Sequence, residues 1–158
     1  MLDSALFRNL FNASRSIPGN GSRGGSNPHL VKYGESETLI LVSIFEDGYL
    51  LHLDREEVIY LNWFYGDPTC ALISRDSKWV VMGGDNLITI WNHGVITEVD
   101  IKGTFDVRQT DTDTVHILID PWYEDSAIWE LNIVTQEMKM IRPFTDYMNR
   151  EYTEFVIW

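Results

Sequence analysis

From residue 28 onward the chain never sustains a helical period. It breaks into short apolar or alternating runs: LVKY (30–33), TLILVSIF (38–45), YLLHLD (49–54), EVIYLNWF (57–64), CALIS (70–74) and WVVMG (79–83). LITIWN (87–92), VITEVDI (95–101), FDVRQT (105–110), VHILID (115–120), AIWELN (127–132) and EMKMIRP (137–143) follow. Between them stand EDG, GDP, GGDN, NHG and DPWYED, all of turn chemistry. Runs this short and this evenly spaced predict a mainly all-β, antiparallel meander.

The runs group in fours. Leu53, Trp91 and Trp129 recur 38 residues apart, each followed by a turn and another run. That interval suits one propeller blade, which divides the chain into units over 28–64, 70–101 and 105–143. SRDSKWVVMGGDNLITIW (74–91) resembles a blade of the WD-repeat and related β-propeller families, with Trp91-Asn92 where Trp-Asp is usual. The Gly-His element of that family is missing, and the third unit lacks the glycine turn. A closed propeller typically has four or more blades. The resemblance therefore implies an open, half-propeller-like stack of three units within one β domain over 28–158.

Residues 3–13 predict a short helix with Asp3 or Ser4 as cap and Leu6, Phe7, Leu10 and Phe11 along one side. PGNGSRGGSNP lacks the Gly-Lys-Ser/Thr of a phosphate-binding loop, so 14–27 reads as a flexible linker, closing an N-terminal segment 1–27. TEFVIW (153–158) is expected as a C-terminal edge strand, and with the helix it would cover exposed sheet edges. MLDSALFRNLF has no long apolar core, and Leu39 to Phe45 is too short to span a bilayer. A cytoplasmic protein is the resulting expectation.

Charge narrows the function classes. There are 24 acidic against 12 basic side chains, a formal net charge of −12, with 13% aromatic residues. Such a field repels nucleic acid and anionic membranes and attracts cationic partners, for which Tyr and Trp are typical anchors. The lone Cys70 sits beside Ala71-Leu72-Ile73, which predicts a buried structural thiol and excludes an internal disulfide. His29, His52, His93 and His116 show no helical metal-pair spacing, and Asp111-Thr112-Asp113 lacks the glycine and closing Glu of a calcium loop. G-x-S-x-G, H-E-x-x-H and C-x-x-C are absent from the sequence, so neither an enzyme nor a cofactor or metal is expected.

In a four-stranded meander alternate connections share one end. The second-to-third and fourth-to-next-first connections collect Glu46, Asp47, Tyr65, Asp67, Asp85, Asp120, Trp122, Tyr123, Glu124 and Asp125, with Lys102 as the sole base expected there. The opposite end mixes Glu35, Glu37, Glu56, Glu57, Asp76, Asp111 and Asp113 with Arg55, Arg75 and Lys78. Unopposed carboxylates beside aromatics suit a basic protein surface.

Small, acidic, aromatic-rich single domains without an active site resemble the immunity proteins that protect bacteria from toxins in competition. The resemblance implies a protein-binding inhibitor of a cationic, nuclease-type toxin domain. Two other readings stand beside it. One is a ligand- or sugar-binding β-protein, or an enzyme, that uses Trp122 and Tyr123 with nearby carboxylates. The other is a scaffold that forms homo-oligomers through sheet edges, with TEFVIW as the apolar edge.

Overall fold

The computed structural model describes residues 4–15, 17–18, 22–24 and 27–158. The helix α1 covers Ser4–Ser14; Asp3, one of its two expected caps, lies outside the described residues. Strands β1 (Ser22–Gly24), β2 (Asn27–Glu35), β3 (Leu39–Ile44), β4 (Asp47–His52) and β5 (Glu57–Trp63) form the first sheet. β6 (Cys70–Ile73), β7 (Trp79–Gly83), β8 (Ile88–Asn92) and β9 (Val95–Val99) form the second. β10 (Thr104–Asp111), β11 (Thr114–Ile119), β12 (Ala127–Asn132) and β13 (Met138–Pro143) form the third. Every pairing is antiparallel, and in each sheet the strands neighbour one another in chain order. The protein is therefore mainly β, with three blade-like sheets.

The sheets stack because both faces of each strand set are apolar. Val31, Tyr33, Leu39, Leu41, Leu50 and Leu61 of the first sheet meet Val80, Met82 and Trp91 of the second. From the other face of the second sheet, Trp79, Val81, Ile88 and Ile90 meet Val115, Ile117, Ile119 and Leu131 of the third. The 38-residue interval returns the chain to the third long strand of each sheet, though not to one height along it. Leu53 just past β4, Trp91 on β8 and Trp129 on β12 all face the layer that precedes their own sheet. The first strands also lie side by side. Tyr33 Oη donates to the Pro68 carbonyl at 2.9 Å, and Thr69 Oγ1 donates to the Thr104 carbonyl at 2.6 Å.

An open stack leaves two terminal faces, and both are covered. Phe7, Leu10, Ala13 and Ile17 lie on Leu30, Ile40, Val42, Leu51 and Val58, so α1 shields the outer face of the first sheet, where the sequence suggested an edge. Below about 15 residues an isolated helix is marginal, and this packed stripe supplies its stability. Lys32 adds a polar tie: its buried Nζ donates to the carbonyls of Ser14 (3.3 Å) and Ile17 (2.9 Å) and pairs with Glu35.

Two expectations for the terminal segments change. The stretch 14–27, read as a linker, contributes β1, whose Ser22 and Arg23 pair with Lys32 and Val31. Backbone pairing with the edge of β2 makes no demand on apolar side chains, so a polar Gly/Ser-rich segment can join the sheet. TEFVIW is not an edge strand. Its Val156 and Trp158 pack on the outer face of the third sheet with Leu118, Ile128, Phe144 and Tyr147. The chain turns away from β13 after Pro143, so side-chain contacts hold this segment instead of a ladder. Trp158 Nε1 donates to Asp106 at 3.0 Å, the Arg108 guanidinium lies 4.0 Å from the Trp158 ring centroid, and the Ile157 N–H donates to Tyr147 Oη at 2.9 Å.

Candidate partner-binding face

Hydrogen bonds run in a chain across the connections β3–β4, β5–β6, β7–β8, β9–β10 and β11–β12, which places all five at one end of the stack. The Phe64 N–H donates to the Glu46 carbonyl at 2.8 Å, and the Tyr65 N–H to Asn86 Oδ1 at 3.2 Å. The Gly103 N–H donates to the Asp85 carbonyl at 3.0 Å, and the Asp120 N–H to the Gly103 carbonyl at 2.8 Å. The structure thus brings together the ten residues singled out in the sequence, but it gives them different tasks.

Glu46, Asp47, Asp120 and Trp122 are engaged internally. Glu46 accepts the indole N–H of Trp63 at 2.7 Å and the Gly66 N–H at 3.1 Å, which fixes the β5–β6 loop. Asp47 belongs to β4 and accepts the Tyr60 hydroxyl at 2.7 Å. Partial desolvation, together with that carboxylate, pushes the Tyr60 hydroxyl up to about 12. Asp120 accepts the Trp122 N–H at 2.9 Å, closing a local turn. Trp122 folds back into an aromatic group with Phe105, Tyr147 and Tyr152 and donates its indole N–H to the Arg150 carbonyl at 3.1 Å. Its ring is spent on the terminal cap, because the chain after β13 passes directly over it.

Asp67, Asp85, Glu124 and Asp125 are exposed, as are Tyr65 (66%) and Tyr123 (50%). Sequence reasoning missed Phe45, Tyr60, Trp63 and Asp100. Phe45 stands at the tip of the β3–β4 turn, 56% exposed with φ 52° and stacked on His29 at a 4.3 Å centroid distance. It closes the apolar run 38–45, and nothing in that run marks its last residue as exposed. Asp100 follows β9 and pairs with Lys102 at 3.3 Å, both side chains being well exposed. Lys102 is also not the sole base at this end. The segment after β13 lays Arg150 beside Trp122, and Arg142 pairs there with Asp146 at 3.4 Å.

Beside the loops runs a groove of about 430 Å³ between the second and third sheets. Ile101, Ile119, Trp129 and Met138 line it, with Tyr123, Asp100 and Asp125 at the same opening. Chemically, the end offers acceptor oxygens, aromatic edges and an apolar recess. Cys70 lies away from it and is buried, and burial pushes its thiol up to about 12, which keeps it protonated. Among the described residues no group of three His, Cys, Asp or Glu side chains converges as a metal-ligand set, and no helix is long and apolar enough to cross a membrane.

No family model matches the chain. Among solved structures it is similar to a chain of Kuenenia stuttgartiensis hydrazine synthase, at a TM-score of 0.50 and 15% sequence identity, over 75% of this chain and 45% of that one. This chain thus spans less than half of the neighbour's length, and at that identity the likeness concerns the fold alone.

Proposed function

We propose that the protein binds a cationic protein through its acidic loop end, as an immunity protein that neutralises a nuclease-type toxin domain. The observation that carries this reading is the joint exposure of Asp67, Asp85, Glu124 and Asp125 with Tyr65, Tyr123 and Phe45 on five mutually braced connections. Carboxylates steer the encounter, and aromatics exclude water from the contact. Phe45 supports the assignment, because it is a bulky residue at positive φ whose ring touches His29 but stays more than half exposed and adds nothing to the core. On this reading the face occupies the toxin's phosphate-binding surface and blocks access of its substrate.

The two other readings have less support. A sugar platform built on Trp122 lacks an open indole face, since that ring is packed under the C-terminal segment. Oligomerisation through sheet edges relied on TEFVIW as the apolar edge, whereas Val156 and Trp158 of that segment pack on the outer face of the third sheet.

The test is a search of the neighbouring genes for a small basic toxic protein, followed by its co-expression with this chain. Relief of its toxicity is expected, with association that weakens as salt rises. Changing Asp67, Asp85 and Asp125 together to Lys should abolish binding while the fold persists. Unchanged affinity in that variant removes this face from consideration, and toxicity that co-expression does not relieve removes the pairing.

A further inference from the structure

At the opposite end of the stack, the turns β4–β5, β6–β7 and β8–β9 enclose a pocket of about 280 Å³ lined by His52, Arg55, Lys78 and His93, with Trp91 beneath. This is an unusual concentration of donors in a chain with twice as many acidic as basic side chains. These groups also lack the partners that such groups normally find. Among the described residues the side chains of His52, Arg55 and His93 make no hydrogen bond or ion pair, and Nδ1 of His52 is buried with no partner at all. Lys78 reaches a carboxylate only at 3.9 Å, on Asp76. That carboxylate is already held by the Ser74 hydroxyl at 2.8 Å and the Lys78 N–H at 3.2 Å.

The turns that carry these side chains are fixed. The Ser77 N–H donates to the Ser74 carbonyl at 2.9 Å, the Glu56 N–H to the Leu53 carbonyl at 3.2 Å, and the His93 N–H to the Lys78 carbonyl at 3.3 Å. Ser77, Glu56 and His93 hold positive φ, a cost that local structure must offset. The acidic side chains of the same turns, Asp54, Glu56 and Glu57, do not line the pocket.

We propose that this pocket binds a small phosphate monoester. A planar guanidinium and an ammonium, both donors only, line one pocket with two imidazoles that each offer at least one N–H, and no carboxylate lines it with them, a set that suits the several acceptor oxygens of a tetrahedral oxyanion. The volume exceeds that of a bare ion and leaves room for a small organic body. The site lies at the far end from the proposed partner face and does not depend on it.

Two-dimensional NMR of the full chain tests the assignment through the imidazole signals of His52 and His93. Inorganic phosphate and phenyl phosphate are titrated separately, with chloride holding ionic strength constant. Saturable shifts are expected, and the Arg55→Gln/Lys78→Gln double variant should weaken them by about tenfold or more. Both positions are exposed turn residues, so thermal unfolding of that variant should stay within about 2 °C of the parent. Tighter binding of phenyl phosphate supports a monoester ligand. Shifts that fail to saturate, that chloride reproduces, or that the double variant leaves intact overturn the site.

Discussion

The carboxylate of Glu46 and the indole N–H of Trp63 lie 2.7 Å apart, and the second oxygen of that carboxylate takes the Gly66 N–H at 3.1 Å. One side chain from the β3–β4 turn thereby holds the loop that displays Tyr65 and Asp67. Glu46→Ala should cost about 0.5–1.5 kcal/mol in chemical denaturation, because two charge-assisted hydrogen bonds are lost while their exposed donors turn to water. Glu46→Gln retains acceptor capacity and should lose less. Equal losses in the two variants would show that the acceptor geometry is immaterial.

Phe64 occupies the space above Gly84. A Cβ at that glycine would meet the ring at 2.8 Å, and Phe64 is itself completely buried. Gly84→Ala should therefore destabilise the protein by about 1–3 kcal/mol through overpacking. In the Phe64→Leu background the same change should cost less, a coupling that a double-mutant cycle reads directly. Additive losses would place the strain elsewhere.

That glycine also shows where the sequence was legible. GGDN reads as a tight turn because glycine tolerates positive φ, yet neither Gly83 nor Gly84 adopts it. Both are needed for space, against Thr104, Cys70 and Phe64, and proximity to residues more than ten positions away leaves no local signature. The left-handed pair is His93 (φ 49°) and Gly94 (φ 86°), where NHG gave the matching signal. Strand positions were legible for the related reason that alternation and turn chemistry are local. The loop end followed from connectivity alone, since meander strands reverse direction at each turn. What remained hidden was long-range. Nothing in DPWYED announces that Trp122 will lie under Tyr147 and Tyr152, or that TEFVIW will pack on a sheet face instead of extending an edge.

Lys32 offers a test of how α1 is held. Its Nζ, buried at the junction of helix and sheet, donates to the carbonyl of Ser14, the last helical residue, and to that of Ile17 in the turn beyond it. Lys32→Met preserves much of the volume and removes the donor, so it should cost about 1–3 kcal/mol. The loss should be local. Amide exchange in α1 should accelerate while β7 and β8, at the centre of the stack, stay protected. Uniform acceleration throughout would mean that the helix and the sheets open as one unit.

Cys70 predicts a pH dependence with a definite sign. Burial raises its folded pKa from 9.0 to about 12, and the hydrogen bonds to Thr104 and Thr69 only partly counter it. The neutral thiol is the form the fold accommodates. Below pH 9 folded and unfolded chains both carry the proton, and the contribution to stability is complete. Between 9 and about 12 the unfolded chain releases the proton while the folded one keeps it, so stability falls as pH rises. Across that window the parent should lose up to about 1.4 kcal/mol per pH unit more than a Cys70→Ala variant. Urea denaturation of both proteins at a series of alkaline pH values measures the difference. Tyr60, also raised to about 12, contributes equally to both and cancels. Parallel stability curves would show that the thiol ionises in the folded chain as readily as in the unfolded one, which a buried Cys70 does not allow.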